Sequence, residues 1–228
     1  MTGFQADIAP VAALMADRAR AAMLTALLDG RPLAAGELAR TAGVSAQTAS
    51  AHLGRLLDGG LVTVVKQGRH RYYRLTGAEV AEVIEALSRI SPAVEVRSLR
   101  QSRQAQRLHR ARSCYDHLAG EVGVALYAAL VGGGLIEKAG PFDVTAKGEE
   151  RFAELGIDVG VLRKARRRFV GECLDWTERR PHLNGALGAA LMTRFIESGW
   201  LERGKGRELY VTEAGHKGLA DSFGCVLP

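Results

Sequence analysis

The chain has 228 residues, 47% of them hydrophobic and 25% charged, and carries a formal net charge of +6. That balance belongs to a folded globular protein, and no stretch approaches the roughly 20 unbroken apolar residues of a membrane span. The surplus of Lys and Arg suits a polyanionic partner, and three cysteines are too few and too odd in number for a secreted disulfide framework.

Asp7 comes early and no basic run precedes an apolar one, so no signal peptide is expected and the cytoplasm is the expected location. Ile8, Val11, Leu14 and Met15 recur at helical spacing and predict a first helix over 7–16. A second, over 17–29, opens at Asp17 as N-cap and closes at Asp29-Gly30 with Arg31-Pro32 beyond. A short helix over 34–41 turns Leu38 and Ala39 inward. Gly43 permits a sharp turn, and Ser45 caps a helix running to about 58. On that helix Ala49, Leu53, Leu56 and Leu57 face a core, leaving Ser45, Gln47, Thr48, Ser50 and His52 outside.

Two strands, 61–66 and 70–76, flank Gln67-Gly68-Arg69 and predict a basic hairpin. A helix over 77–90 follows, with Val80, Val83, Ile84, Leu87 and Ile90 as its apolar stripe, and Ser91-Pro92 ends it. Residues 1–92 thus read as a winged helix-turn-helix, a module that sets one helix in the major groove of DNA and a hairpin beside it. Gln47 can pair bidentately with adenine, and Thr48 or Ser50 can bond base edges or phosphates. His52 either touches phosphate or packs beneath the hairpin. Arg69 and His70 at the wing tip reach the backbone or minor groove, and Arg71 and Arg74 are expected to share the hairpin's exposed face.

Residues 93–113 predict an arginine-rich connecting helix, with Arg100, Arg103, Arg107 and Arg110 on one side, and 114–228 a second domain. It contains a repeat: His117-Leu-x-Gly-x-x-Gly-x-Ala-Leu recurs from His182, Gly134-Leu135-Ile136-Glu137 aligns with Gly199-Trp200-Leu201-Glu202, and FDVTAKG (142–148) with LYVTEAG (209–215). Each copy reads as an apolar helix, a glycine stop and a short hairpin that echoes the wing of the first domain. A helix over about 158–180 is expected between the copies. The fold class is therefore mainly α with small β-hairpins (α+β), the second half having winged-helix-like character.

Cys114 and His117, on one helical face, together with Cys173 and His182, form a candidate sensor for a soft metal ion, for haem or for a thiol switch. The same histidines could instead hold the repeat together by hydrogen bonds, binding nothing, with the cysteines as small buried hydrophobes. No phosphate loop, HExxH or nucleophile–base arrangement is present, so no enzyme is expected.

From Met15 to Leu87, about a third of the chain, the sequence resembles the ArsR/SmtB family of bacterial repressors. The resemblance lies in Ala16-Asp17-Arg18-Ala19-Arg20, Glu37-Leu38-Ala39, Val44-Ser45-x-x-Thr48-x-Ser50-x-His52-Leu53-x-x-Leu56, Gly59-Gly60-Leu61-Val62 and Gly68-Arg69-x-x-Tyr72-Tyr73-Arg74-Leu75. It implies a homodimer pairing through residues 7–16 and 77–90, double-stranded operator DNA as partner, and release by a metal or other signal. The family's usual metal positions are replaced here by Thr41-Ala42-Gly43-Val44 and by Glu79, Glu82 and Glu85, which moves any sensing to the appended half. The alternative function is an architectural or RNA-binding protein without an inducer.

Overall fold

The structure is a computed structural model that describes residues 6–68, 70–92, 98–138 and 142–227. It divides into two compact units, 1–87 and 88–228. Within them small antiparallel hairpins alternate with helices, and among the described residues no helix is long and apolar enough to cross a membrane.

The first unit opens with α1 (Ala9–Met15) and α2 (Arg18–Leu27). Asp17 caps α2 by accepting the Arg20 N–H at 2.9 Å. The buried Arg20 side chain then folds back, donating from Nε to the Leu14 carbonyl (2.6 Å) and from Nη2 to that of Ala13 (2.8 Å). These carbonyls belong to the last turn of α1 and have no partner within the helix, so one guanidinium closes it. After β1 (Leu33–Ala34) come α3 (Ala35–Ala42) and α4 (Ala46–Asp58), joined through Gly43 in the left-handed conformation at φ 66°. Then β2 (Val62–Gln67) and β3 (His70–Leu75) form the expected hairpin, and α5 (Ala78–Ile90) follows. Met23, Leu24, Leu27, Leu38, Leu53, Leu56 and Leu75 make the core. β1 pairs with β3, Leu33 opposite Tyr73, so the sheet has the order β1-β3-β2. Two residues are too short to show any period, and sequence reading passed over them.

The second unit starts with α6 (Leu99–Arg110), the described part of the arginine-rich helix; 93–97 lie outside the described residues. Two copies of one motif follow. The first runs β4 (Arg112–Cys114), β5 (His117–Ala119), α7 (Glu121–Gly132), β6 (Ile136–Glu137), β7 (Asp143–Val144) and α8 (Ala146–Glu154). A single turn, α9 (Val159–Arg163), links it to β8 (Gly171–Leu174), β9 (Pro181–Asn184), α10 (Gly185–Glu197), β10 (Leu201–Arg203), β11 (Leu209–Val211) and α11 (Glu213–Phe223). Leu126, Leu130, Phe152, Leu187, Leu191, Phe195, Leu219 and Phe223 share one core with Cys225.

Two expectations are corrected here. The helix over 158–180 shrinks to α9, because Gly171-Glu-Cys-Leu174 alternates buried and exposed and pairs as a strand. Cys114 and His117 lie on a hairpin instead of a helix: the chain reverses at Tyr115-Asp116, and helix starts only at Glu121.

The conserved-looking Val-Thr-x-x-Gly of the repeat has a clear cause. Thr145 caps α8 by accepting the Gly148 N–H (3.0 Å) and donates its hydroxyl to the Gly134 carbonyl (2.7 Å). Thr212 does the same with Gly215 (2.9 Å) and Gly199 (2.7 Å). In the first unit Thr76 donates to the Gly60 carbonyl at 2.7 Å, the same link between strand end and preceding helix. We expect Arg20→Ala to remove the bonds to the Ala13 and Leu14 carbonyls and leave them to water, at about 0.5–1.5 kcal/mol per lost hydrogen bond, measured as a lowered urea midpoint.

Candidate nucleic-acid interface and cysteine–histidine cluster

The apolar stripe of α4 dictates what its other side presents. Ala49, Leu53 and Leu56 are buried, and at helical spacing this leaves Gln47, Thr48 and Ser50 exposed. Ser45 stays at the N-cap, its Oγ accepting the Thr48 N–H at 3.1 Å and lying 2.9 Å from the Thr48 hydroxyl. The first turn of α4 therefore carries short polar side chains and backbone N–H groups at its positive end. Arg40 in the last turn of α3 and Arg55 in the last turn of α4 are also exposed. Leu57, expected in the core, is 42% exposed.

His52 turns back toward α2. Its Nδ1 is 3.7 Å from Asp17 Oδ1 and 3.5 Å from Arg20 Nη1. On the hairpin, Lys66, His70, Arg71 and Arg74 are exposed, with Lys66 opposite Arg71 and Thr63 opposite Arg74. Arg71 and Arg74 are three residues apart and so occupy opposite faces of β3, correcting the shared face expected from the sequence. Arg71 shares the face of buried Tyr73 yet stays exposed at the distal end of the ribbon. Arg69 lies outside the described residues.

Many basic groups of the second unit have local partners. Arg163 bonds Asp143 at 2.9 Å and also Glu149, Arg167 bonds Asp116, and Arg107 reaches buried Glu208 at 3.3 Å. Arg112 is fully enclosed: Nη2 meets Asp175 at 2.9 Å, Nη1 donates to the Leu108 carbonyl at 3.1 Å and to Thr177 at 3.2 Å, and its guanidinium lies 4.6 Å from the centre of the Trp176 ring. Burial, the largest single influence, would raise the Asp175 carboxyl, but the Arg112 charge together with hydrogen bonds from Thr177, Arg112 and the Gly120 N–H outweighs it and holds the group well below the usual carboxylate range.

Beside this pair the two repeats bring Cys114, His117, Cys173 and His182 together, all buried, their ligand atoms within 4.8 Å of one another. The sulfurs stand 3.9 Å apart and the two Nε2 atoms 3.2 Å apart, with the imidazoles stacked at 5.1 Å. In each hairpin the cysteine pairs directly with the histidine across the strands, Cys114 with His117 and Cys173 with His182. Glycines make the approach possible. A Cβ on Gly123 would lie 2.5 Å from the Leu118 carbonyl oxygen and 3.6 Å from the His182 Cβ, and one on Gly188 would lie 2.8 Å from the Leu183 oxygen and 3.2 Å from the His117 Cβ.

The hydrogen bond from Cys114, joined by His117 and His182, holds the Cys173 thiol far below its ordinary value against the opposing effect of burial. Burial works to lower His117, but Asp116 and Cys173 prevail and raise it; for His182 burial prevails and the group is lowered. Cys225 has only burial acting on it, which pushes its thiol up to about 11. A second group, His109 with Glu121 (3.3 Å) and Glu178 (2.9 Å), is partly exposed.

Asp175 was expected close to Cys173 and His182, whereas Asp116 was missed as a member of the cluster. Their signal is in the sequence: Cys-x-Asp precedes His-Leu-x-Gly in both copies, directly in the first and after the inserted 176–181 in the second. We expect Asp175→Asn to leave Arg112 buried without a counter-charge and to cost about 3–5 kcal/mol, read from denaturant unfolding of the full chain.

A family model described as a helix-turn-helix domain matches residues 15–65. An uncharacterized HTH-type transcriptional regulator of Bacillus subtilis (strain 168), YdfF, is 46% identical over 211 residues, which is 92% of this chain and 93% of that protein. Among solved structures, HlyU from Vibrio cholerae N16961 is 34% identical and matches 36% of this chain and 87% of its own, with a TM-score of 0.33. The transcriptional repressor BigR from Xylella fastidiosa is 30% identical over 38% of this chain and 88% of its own, with a TM-score of 0.35.

Proposed function

Since the chain belongs to the ArsR-type helix-turn-helix transcriptional regulators, we propose that it is a cytoplasmic repressor that binds operator DNA as a homodimer and leaves it on a signal. The observation that carries this is the outward polar turn of α4: Ser45, Gln47, Thr48 and Ser50 stand over a fully buried apolar stripe, beside an exposed basic hairpin. Gln47 and Thr48 read base edges, while Ser50, His70, Arg71, Arg74 and the wing-tip Arg69 hold the phosphate backbone. His52 is a positioning residue that ties α4 to the Asp17–Arg20 corner.

Dimerisation is supported by apolar side chains left in water. Ile8 at the N-cap of α1, Val11 on it, and Val83 and Leu87 of α5 are exposed, whereas Ile84, on the apolar stripe of the same helix, is buried. A second copy covering the exposed set removes that area from solvent and places two α4 helices about one DNA turn apart on an inverted repeat.

Fluorescence anisotropy on the chain's own upstream DNA tests the assignment. Gln47→Ala with Thr48→Ala is expected to lower the preference for operator over scrambled duplex by about ten- to a hundredfold, the worth of one good bidentate contact. Retained discrimination in that variant refutes the role of α4. Arg71→Ala with Arg74→Ala is expected to weaken all duplexes alike. The slope of log K against log salt should fall by about 0.9 per lost phosphate contact, and an unchanged slope removes the hairpin from the interface.

A further inference from the structure

We propose that Cys114, His117, Cys173 and His182 form a closed tetrahedral site for one zinc ion, half of it supplied by each repeat of the second unit. All four ligand atoms lie within 4.8 Å of one another, and the sulfur–sulfur and nitrogen–nitrogen edges already have the lengths such an ion requires. Zinc about 2.3 Å from each sulfur and about 2.0–2.1 Å from each nitrogen sets tetrahedral edges of about 3.8 Å between sulfurs and about 3.3 Å between nitrogens. The observed separations are 3.9 Å and 3.2 Å.

Donor chemistry selects the class of ion. Two thiolates and two imidazoles suit a tetrahedral, borderline-soft cation and repel the oxygen-seeking Mg2+ and Ca2+. All four ligands are protein side chains and all are buried, which closes the coordination sphere as in structural sites. As the ion binds, any proton still carried by the sulfurs passes to solvent, and the divalent charge balances two thiolates that would otherwise be buried uncompensated.

A second layer of carboxylates completes the arrangement with the symmetry of the repeat. Asp116 Oδ1 is 3.3 Å from Nδ1 of His117, and Asp175 Oδ2 is 3.7 Å from Nδ1 of His182. Asp116 holds the outer ring nitrogen of His117, Asp175 faces that of His182 from beyond hydrogen-bond distance, and it is the two Nε2 atoms that face one another. The ion thereby joins the β4–β5 hairpin to the β8–β9 hairpin across a long stretch of chain. The site stands apart from the DNA-reading role of the first unit and does not depend on it.

The test uses full-length protein, reduced, stripped with a chelator and titrated with cobalt(II) and then zinc. One ion per chain is expected. The cobalt form should show thiolate-to-metal charge transfer and the intense visible bands of a tetrahedral centre, both abolished by zinc. Cys114→Ser with Cys173→Ser should lose the charge-transfer band and Cys225→Ser should keep it. Asp116→Asn should weaken zinc by about 10–100-fold, the usual effect of removing an outer carboxylate. Should the double variant fail to fold, alkylation of the wild-type chain decides: zinc must slow the labelling of Cys114 and Cys173, read by mass spectrometry. A pale octahedral cobalt spectrum, less than one ion per chain, or labelling indifferent to zinc overturns the proposal. So does a Cys114–Cys173 disulfide that forms equally fast with and without zinc, which would make the pair a thiol switch instead.

Discussion

Among the described residues, a threonine hydroxyl that reaches back to the carbonyl of a glycine just past the preceding helix occurs three times, at Thr76, Thr145 and Thr212. In each case the glycine is in the left-handed conformation, which exposes its carbonyl and lets the chain leave the helix at once as a strand. The hydroxyl then fixes the far end of the returning strand to the point where the helix stopped. Helix and hairpin become one rigid corner. Everything attributed to the first unit requires that corner, because a reading helix and a wing can address one stretch of DNA only if their mutual angle is set in advance.

The same corner serves different ends according to what the helix shows to its surroundings. In α4 an apolar stripe is buried and short polar residues remain outside. Its counterparts α7 and α10 are apolar on most sides and supply much of the core of the second unit. A buried helix presents no polar edge to a groove. The duplicated half therefore has the wing-like hairpins without a reading surface, and its distinctive chemistry lies where the two copies meet.

That meeting point concentrates polar groups inside an apolar unit. Arg112 with Asp175, Glu208, and four thiol and imidazole side chains are withdrawn from water within a short span, Glu208 being met by the exposed Arg107. Groups of this kind are costly unless each finds a partner. Here the partners come from the opposite copy of the repeat: Asp175 of the second copy meets Arg112 of the first and accepts the Gly120 N–H at 2.7 Å. The two copies are interdependent in consequence, since separating them would strand charge on both sides.

The sequence by itself determined the elements of the first unit, because each has its own local cause: Asp17 and Ser45 as caps, Gly43 at the turn, a stripe of period 3.6 in α4, two β-branched and aromatic runs flanking a short glycine turn in the hairpin. It also disclosed the repeat and the four cysteine and histidine positions. Tertiary structure decided what local periodicity does not contain. The segments carrying the cysteines are three or four residues long, too short for helical and strand periods to be told apart, so their pairing as hairpins emerged only when the partner strands were in place. His52 turned to Asp17 and Arg20, Ile84 inward and Arg112 into a buried ion pair for the same reason: burial depends on what distant parts of the chain bring near, and spacing along one helix carries no record of that.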